Sequence, residues 1–124
     1  LKVRFLRVIC GTEAPQSADL TLTVDGEDHQ VTAQGDGPVD AVFNAVKKIV
    51  PHQARLQLYQ VHAVTEGTDA QAGVSVRLEE NGRSVNGQGA DTDTLVASAR
   101  AYINALNKLL VKRKKAAPEA LQAV

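Results

Sequence analysis

The stretch Gln34-Gly35-Asp36-Gly37-Pro38-Val39-Asp40, leading into Phe43-Asn44-Ala45-Val46-Lys47-Lys48-Ile49-Val50, is nearly repeated later in the chain. There Gln88-Gly89-Ala90-Asp91-Thr92-Asp93 leads into Ile103-Asn104-Ala105-Leu106-Asn107-Lys108-Leu109-Leu110. The Gln-Gly pairs (34 and 88) lie 54 positions apart and the helix-like stretches (43 and 103) lie 60 apart. The second copy therefore carries six extra residues, roughly one and two-thirds helical turns, between its Gly turn and the matched helix end. A duplicated unit in a chain of 124 residues predicts internal pseudo-symmetry, and a cleft between two halves is a natural ligand site.

Working outward, the residues before each Gly turn read as three strands. Phe5 to Cys10 is apolar on both faces, with Phe5 and Ile9 on one and Leu6, Val8 and Cys10 on the other. Gly11 to Ser17 reads as a loop. Leu20 to Val24 alternates, as a strand with one buried face does. Asp25-Gly26 is a hairpin turn, because the left-handed conformations it needs suit Asp and Gly. Val31 to Gln34 returns as a third strand. Pro38 suits a first helical turn, where a missing N–H is no loss. Val39, Val42, Phe43, Val46, Ile49 and Val50 then line one helical face, which Pro51 ends.

The same order follows again. Leu56 to Thr65 is a long strand, apolar on both faces; residues 66–73 form a loop; Val74 to Leu78 alternates. Asn81-Gly82 makes the second hairpin and Ser84 to Gln88 the return strand. Asp91, Thr92 or Asp93 caps a helix running to about Lys112. Leu95, Ala99, Tyr102, Leu106 and Leu109 form its stripe, flanked by Val96, Ile103 and Leu110. The fold class is thus α+β: two pseudo-symmetric βββα units, each an antiparallel sheet covered by a helix. Unit one spans about 3–51, unit two about 55–113, and 114–124 reads as a loose tail. The two long strands also call for a cover on their second face, from the other half or from a second chain, so a homodimer is expected.

Composition narrows the function. Fourteen Lys and Arg balance fourteen Asp and Glu, so no global field draws in nucleic acid or acidic membrane. The basic run Lys112-Arg113-Lys114-Lys115 has no aromatic ladder beside it and complements a helix C-terminus. A single cysteine, Cys10, excludes an internal disulfide, and no apolar run approaches a membrane span. Methionine is absent even at position 1, so the chain reads as a piece of a larger protein whose missing part lies on the N-terminal side; a tag-cleaved small protein looks the same.

Gly35-x-Gly37 is no dinucleotide fingerprint, since position 40 is Asp and no parallel βαβ unit follows. Asp69, Asp91 and Asp93 match no calcium loop, and His29, His52, His62 and Cys10 are too scattered for zinc. His52 reads as a solvated loop residue and His62 as a partly buried strand residue. Ser98, within Val96-Ala97-Ser98-Ala99-Arg100, is no nucleophile elbow. No metal, cofactor or catalysis is expected in this chain. The two Gly turns remain: backbone N–H groups at a helix start bind a carboxylate. Asp36, Asp40, Asp91 or Asp93, or a backbone carbonyl, faces the ammonium of such an effector.

Tyr59-Gln60-Val61-His62-Ala63-Val64-Thr65-Glu66-Gly67-Thr68-Asp69-Ala70, Val74-Ser75-Val76-Arg77-Leu78, Gly87 to Asp93, Ala97 to Asn107 and Gly35 to Ala41 together resemble the C-terminal regulatory domain of 2-isopropylmalate synthase. The resemblance runs in order from about Ala18 to about Lys112. It implies a cytoplasmic parent enzyme that condenses acetyl-CoA with 2-oxoisovalerate in an N-terminal, divalent-metal-dependent TIM barrel, and a dimeric domain that binds leucine and inhibits the barrel. The barrel is not in this chain, so no catalytic or metal residue carries over. The leucine contacts it implies are Gly35, Asp36, Gly37, Pro38, Val39 and Asp40 in the first turn, and Leu56, Tyr59 and Ala63 on the fourth strand. Ala70 after the following loop, and Ala90, Asp91, Thr92 and Asp93 in the second turn, complete the set. The isoleucine-binding domain of citramalate synthase is the neighbouring reading. A small RNA-binding module and a pure dimerisation module are the readings from other classes.

Overall fold

A computed structural model describes residues 2–10, 16–63 and 71–122, with side chains to 111. Unit one comprises β1 (Lys2–Ile9), β2 (Gln16–Val24), β3 (Glu27–Gly35) and α1 (Pro38–Ile49). Unit two comprises β4 (Arg55–Ala63), β5 (Ala72–Glu80), β6 (Arg83–Asp91) and α2 (Thr94–Gln122). Each unit is a three-stranded antiparallel sheet in simple up-and-down order, followed by its helix. The α+β, twice-repeated architecture is therefore as the repeat and the alternation predict.

The hairpins form where the sequence demands them. Asp25 and Gly26 have φ of 51° and 84°, and Asn81 and Gly82 have 53° and 78°. Both residues of each turn are left-handed, the geometry whose twist matches the flanking strands. The ladders pair Val24 with Glu27 and Glu80 with Arg83 directly across these turns, so each sheet's register is fixed from the hairpin outward. The strands consequently run several residues beyond the apolar cores read from sequence, because the ladder continues through polar residues once the hairpin is set. Gln16 and Ser17, expected in a loop, already belong to β2.

One aliphatic core joins both units. Leu20, Leu22 and Ala18 of β2 and Val74, Val76 and Leu78 of β5 are buried beneath Val42, Val46, Ala41 and Ala45 of α1 and Leu106, Leu109 and Ile103 of α2. The helices touch one another, α1 lies on β2 and β3, and α2 lies on β5 and β6 and reaches over to β1. Packing of α2 on β6 is the closest in the molecule. A Cβ on Gly87 would stand 2.2 Å from the carbonyl oxygen of Ala101, and one on Gly89 would stand 2.6 Å from the backbone of Ala97 and Ala101. Ala97, Ala101 and Ala105, four residues apart, give α2 a second face of small residues that lets its backbone meet those glycines.

The outer faces are polar. On sheet one Arg7 binds Asp19 at 2.7 Å, Thr32 donates to Asp19 at 2.6 Å, and Thr23 donates to Asp28 at 2.7 Å. The Thr32 hydroxyl and the Arg7 guanidinium hold the Asp19 carboxyl below its ordinary range. On sheet two Arg77 bonds Asn86 and Gln57 bonds Glu79. These cross-strand pairs finish the faces of β2, β3, β5 and β6. The large apolar residues left exposed on the sheets, Phe5, Ile9, Leu56 and Val61, all lie on the edge strands β1 and β4.

Three expectations are corrected. His52 is buried, at 7% exposure, because the linker between units tucks it against α2. There Ala54 N–H donates to its Nδ1 (3.2 Å), which leaves the ring proton on Nε2, 2.8 Å from the Tyr102 hydroxyl. His62 is exposed, since it alternates with Val61 and Ala63 onto the outer side of β4. The backbone is helical through to Gln122 rather than loose beyond 113.

Candidate functional site

The two Gly turns occupy equivalent places. In unit one Asn44 donates to the Gln34 carbonyl (2.9 Å) and Lys48 to the Thr32 carbonyl (2.9 Å). In unit two Asn104 accepts from the Gln88 N–H (3.1 Å) and Lys108 donates to the Asn86 carbonyl (2.7 Å). Strand positions thus match at an offset of 54 and helix positions at 60, as the sequence repeat does. The starts, Pro38 and Thr94, differ by only 56. Of the six extra residues, two lengthen the turn and four add about one N-terminal turn to α2.

That insertion makes the two helix starts chemically different. At α2, Asp93 is a side-chain cap: its Oδ1 accepts from Leu95 N–H (2.8 Å) and Val96 N–H (3.4 Å). Asp91 Oδ1 accepts from Asp93 N–H (3.0 Å), and its Oδ2 pairs with Arg100 (3.0 Å). Thr92 bonds Asp91 at 3.4 Å and the Ala90 carbonyl accepts from Arg100 at 3.2 Å. Both carboxylates of the second turn are thus spent on local bonds.

At α1 the cap position is Gly37, which has no side chain, and no side-chain cap bond forms. Pro38 brings no N–H, and the first intrahelical bond runs from Ala41 N–H to the Gly37 carbonyl (2.9 Å). Among the described residues no group caps the N–H of Val39 or Asp40. Asp40 instead reaches back from the first turn to accept from Asp36 N–H (2.9 Å) and from Asn44 (3.4 Å). This folds the turn tightly over Gly35, where a Cβ would stand 2.5 Å from Ala41 N. Gly37 is different: its φ of −154° is ordinary extended backbone, and an added Cβ meets nothing within 4 Å. Neither strain nor packing demands glycine there.

The four candidate carboxylates therefore separate. Asp40, Asp91 and Asp93 are committed to local bonds, whereas the exposed Asp36 side chain makes none among the described residues.

On β4, Tyr59 is the candidate that ties the units together. Its ring meets Phe43 of α1 edge-on at 6.0 Å, and its hydroxyl lies 2.7 Å from Ser98 Oγ of α2. Ser98 donates its own proton to the Thr94 carbonyl (2.8 Å), so Tyr59 is the donor to Ser98. Phe43 in turn stacks on Tyr102 at 4.3 Å. Leu56 and Ala63 are exposed on the same strand, and Val39 is half-buried on α1. Ala70 lies outside the described residues. Sequence reasoning passed over Ser98, Phe43, Tyr102 and His52 as site-forming residues, and no signal in the sequence marks Ser98 as a residue that bonds another element.

No cluster of three or more His, Cys, Asp or Glu among the described residues is placed to hold a metal ion. No helix among them is long and apolar enough to cross a membrane.

The twice-repeated βββα module, with one side-chain-capped and one uncapped helix start, defines the class of protein by its architecture. The chain belongs to the LeuA allosteric (dimerisation) domain family, whose model matches residues 1–110. It is 66% identical over 120 residues to the 2-isopropylmalate synthase of Caulobacter sp. (strain K31), covering 97% of this chain and 23% of that protein. It is 59% identical over 124 residues to the 2-isopropylmalate synthase of Rhodopseudomonas palustris (strain HaA2), covering 100% of this chain and 24% of that protein. With that of Bradyrhizobium diazoefficiens it shares 60% identity over 115 residues. The chain thus spans less than a quarter of the length of these relatives.

Proposed function

We propose that this chain is the leucine-sensing, dimer-forming regulatory domain of a 2-isopropylmalate synthase, itself without catalytic residues, and that leucine binds at the open start of α1. The parent condenses acetyl-CoA with 2-oxoisovalerate in a separate metal-dependent barrel, and leucine, the end product, inhibits it. The family and the names of its relatives support the parent and the allosteric role.

The observation that carries the site is the contrast between the two turns. At Gly37 no side chain caps the helix start, whereas Asp93 takes two N–H groups at α2; the Val39 and Asp40 N–H groups are therefore open to an effector carboxylate, which the helix dipole favours. Asp36, uncommitted beside them, is the acceptor for the ammonium. Tyr59, Leu56, Ala63 and Val39 supply the apolar surroundings for the isobutyl group. Effector binding that prefers one arrangement of α1, β4 and α2 shifts the parent toward its inhibited state.

Gly37→Asp tests this. Space at Gly37 is open, so the variant folds, but its carboxylate occupies and repels the place of leucine's carboxylate. The parent enzyme carrying it is expected to turn over normally and to ignore leucine. Normal leucine inhibition would remove the effector from this turn.

A further inference from the structure

Each sheet has two free edges, and an unprotected edge is a template for another chain. The edges differ in how they are closed. On β3 the carbonyls of Thr32 and Gln34 are taken by Lys48 and Asn44 of α1. On β6 the Asn86 carbonyl and the Gln88 N–H are taken by Lys108 and Asn104 of α2. The same helix positions thus blunt the same edge in both units. β1 is guarded by charge: Lys2, Arg4 and Arg7 fall within eight residues. A full-length antiparallel pairing of β1 with a second copy would set Arg4 against Arg7 of that copy at both ends of the contact.

β4 has neither protection. From Leu56 to Val61 it carries no charge, and among the described residues no side chain of α1 or α2 bonds its backbone. Leu56 and Val61 are 45% and 50% exposed although they pair with the buried Leu78 and Val74, because α2 packs chiefly on β5 and β6 and meets β4 through Tyr59. A full-length antiparallel self-pairing would put the one permanent charge, Arg55, against the uncharged Ala63 of the second copy. We propose that the free edge of β4 is where a second copy of this chain docks. The two β4 strands pair antiparallel across a two-fold axis and join sheet two of each copy into one six-stranded sheet. This rests on the dimerising character of the family and not on the identity of the effector, so a failure to bind leucine leaves it standing.

The test is sedimentation equilibrium on the 124-residue chain, comparing Val61→Lys with Ile9→Lys, each checked by far-UV circular dichroism. Both positions are half-exposed, so both variants keep the fold. Lysine on an open edge is a device by which proteins prevent strand pairing. Val61→Lys is expected to weaken the dimer by ~100-fold or more, as loss of a central interface anchor does, with Ile9→Lys unchanged. Hydrogen exchange gives an independent reading: protection of the amides from Leu58 to Ala63 rises with protein concentration while that of β1 does not. A wild-type chain that stays monomeric at ~100 µM overturns the proposal, as does a Val61→Lys dimer as tight as wild type.

Discussion

Gly87→Ala tests the seam between α2 and β6. The new Cβ would stand 2.2 Å from Ala101 O, 2.5 Å from Ala105 N and 2.7 Å from Ala105 Cβ. Two of these are backbone atoms in the middle of a helix, which no rotamer change relieves. Restoring ordinary van der Waals contact requires α2 to retreat by about 1 Å, which loosens Ala97, Ala101, Leu106 and Leu109 along the same interface. Overpacking of a tight core costs about 1–3 kcal/mol and sometimes more. The alanine stiffens the unfolded chain and returns about 0.5–1 kcal/mol. The net expectation is a loss of about 1–2 kcal/mol, read in urea melts at fixed protein concentration as a midpoint lowered by roughly 1 M with an unchanged slope of about 1–1.5 kcal/mol/M. Gly37→Ala is the control, since its Cβ meets open space, and it should be neutral or slightly stabilising. A Gly87→Ala midpoint matching wild type, or a Gly37→Ala variant equally damaged, would refute the packing account.

Other perturbations follow from the same contacts. Asp93→Ala removes the α2 cap and should cost about 1 kcal/mol in the same urea assay. Tyr59→Phe deletes the hydroxyl's donation to Ser98 and keeps the ring on Phe43, so about 1 kcal/mol is lost; a loss near zero would mean the bond is not formed in solution. Burial raises the Tyr102 hydroxyl from 10.0 to about 12. Below pH 10 both folded and unfolded chains keep that proton; above it the unfolded chain releases the proton first. Tyr102 stabilisation is therefore full below pH 10 and is lost as pH rises toward 12, by about 3 kcal/mol, which a Tyr102→Phe variant would not show in alkaline melts.

Much of the fold was legible because local rules decide it. Asp25-Gly26 and Asn81-Gly82 dictate left-handed turns, alternation sets one buried face in β2 and β5, and the repeat of Gln-Gly and Asn-x-x-x-Lys fixes the pseudo-symmetry. The Asn and Lys even recur in the same contacts. What escaped the reading depends on tertiary context. His52 looked solvated because a Pro-His linker carries no periodic signal, and its burial comes from Tyr102, fifty residues away. The small-residue face of α2 was hidden by the larger Leu, Tyr and Ile stripe, although Gly87 and Gly89 on the facing strand need it. The Gly turns and their aspartates were identified as one set from sequence, but which carboxylates are spent on capping depends on where each helix starts. The inserted turn of α2 decides that, and only the folded turn distinguishes a committed Asp93 from an uncommitted Asp36.

The most direct test of the central claim is isothermal titration of this chain with leucine, isoleucine and valine, on wild type and on Gly37→Asp. Saturable binding that favours leucine, and that vanishes in Gly37→Asp while the circular dichroism stays unchanged, is the predicted result. Leucine binding that survives Gly37→Asp undiminished, or a preference for isoleucine, would contradict it.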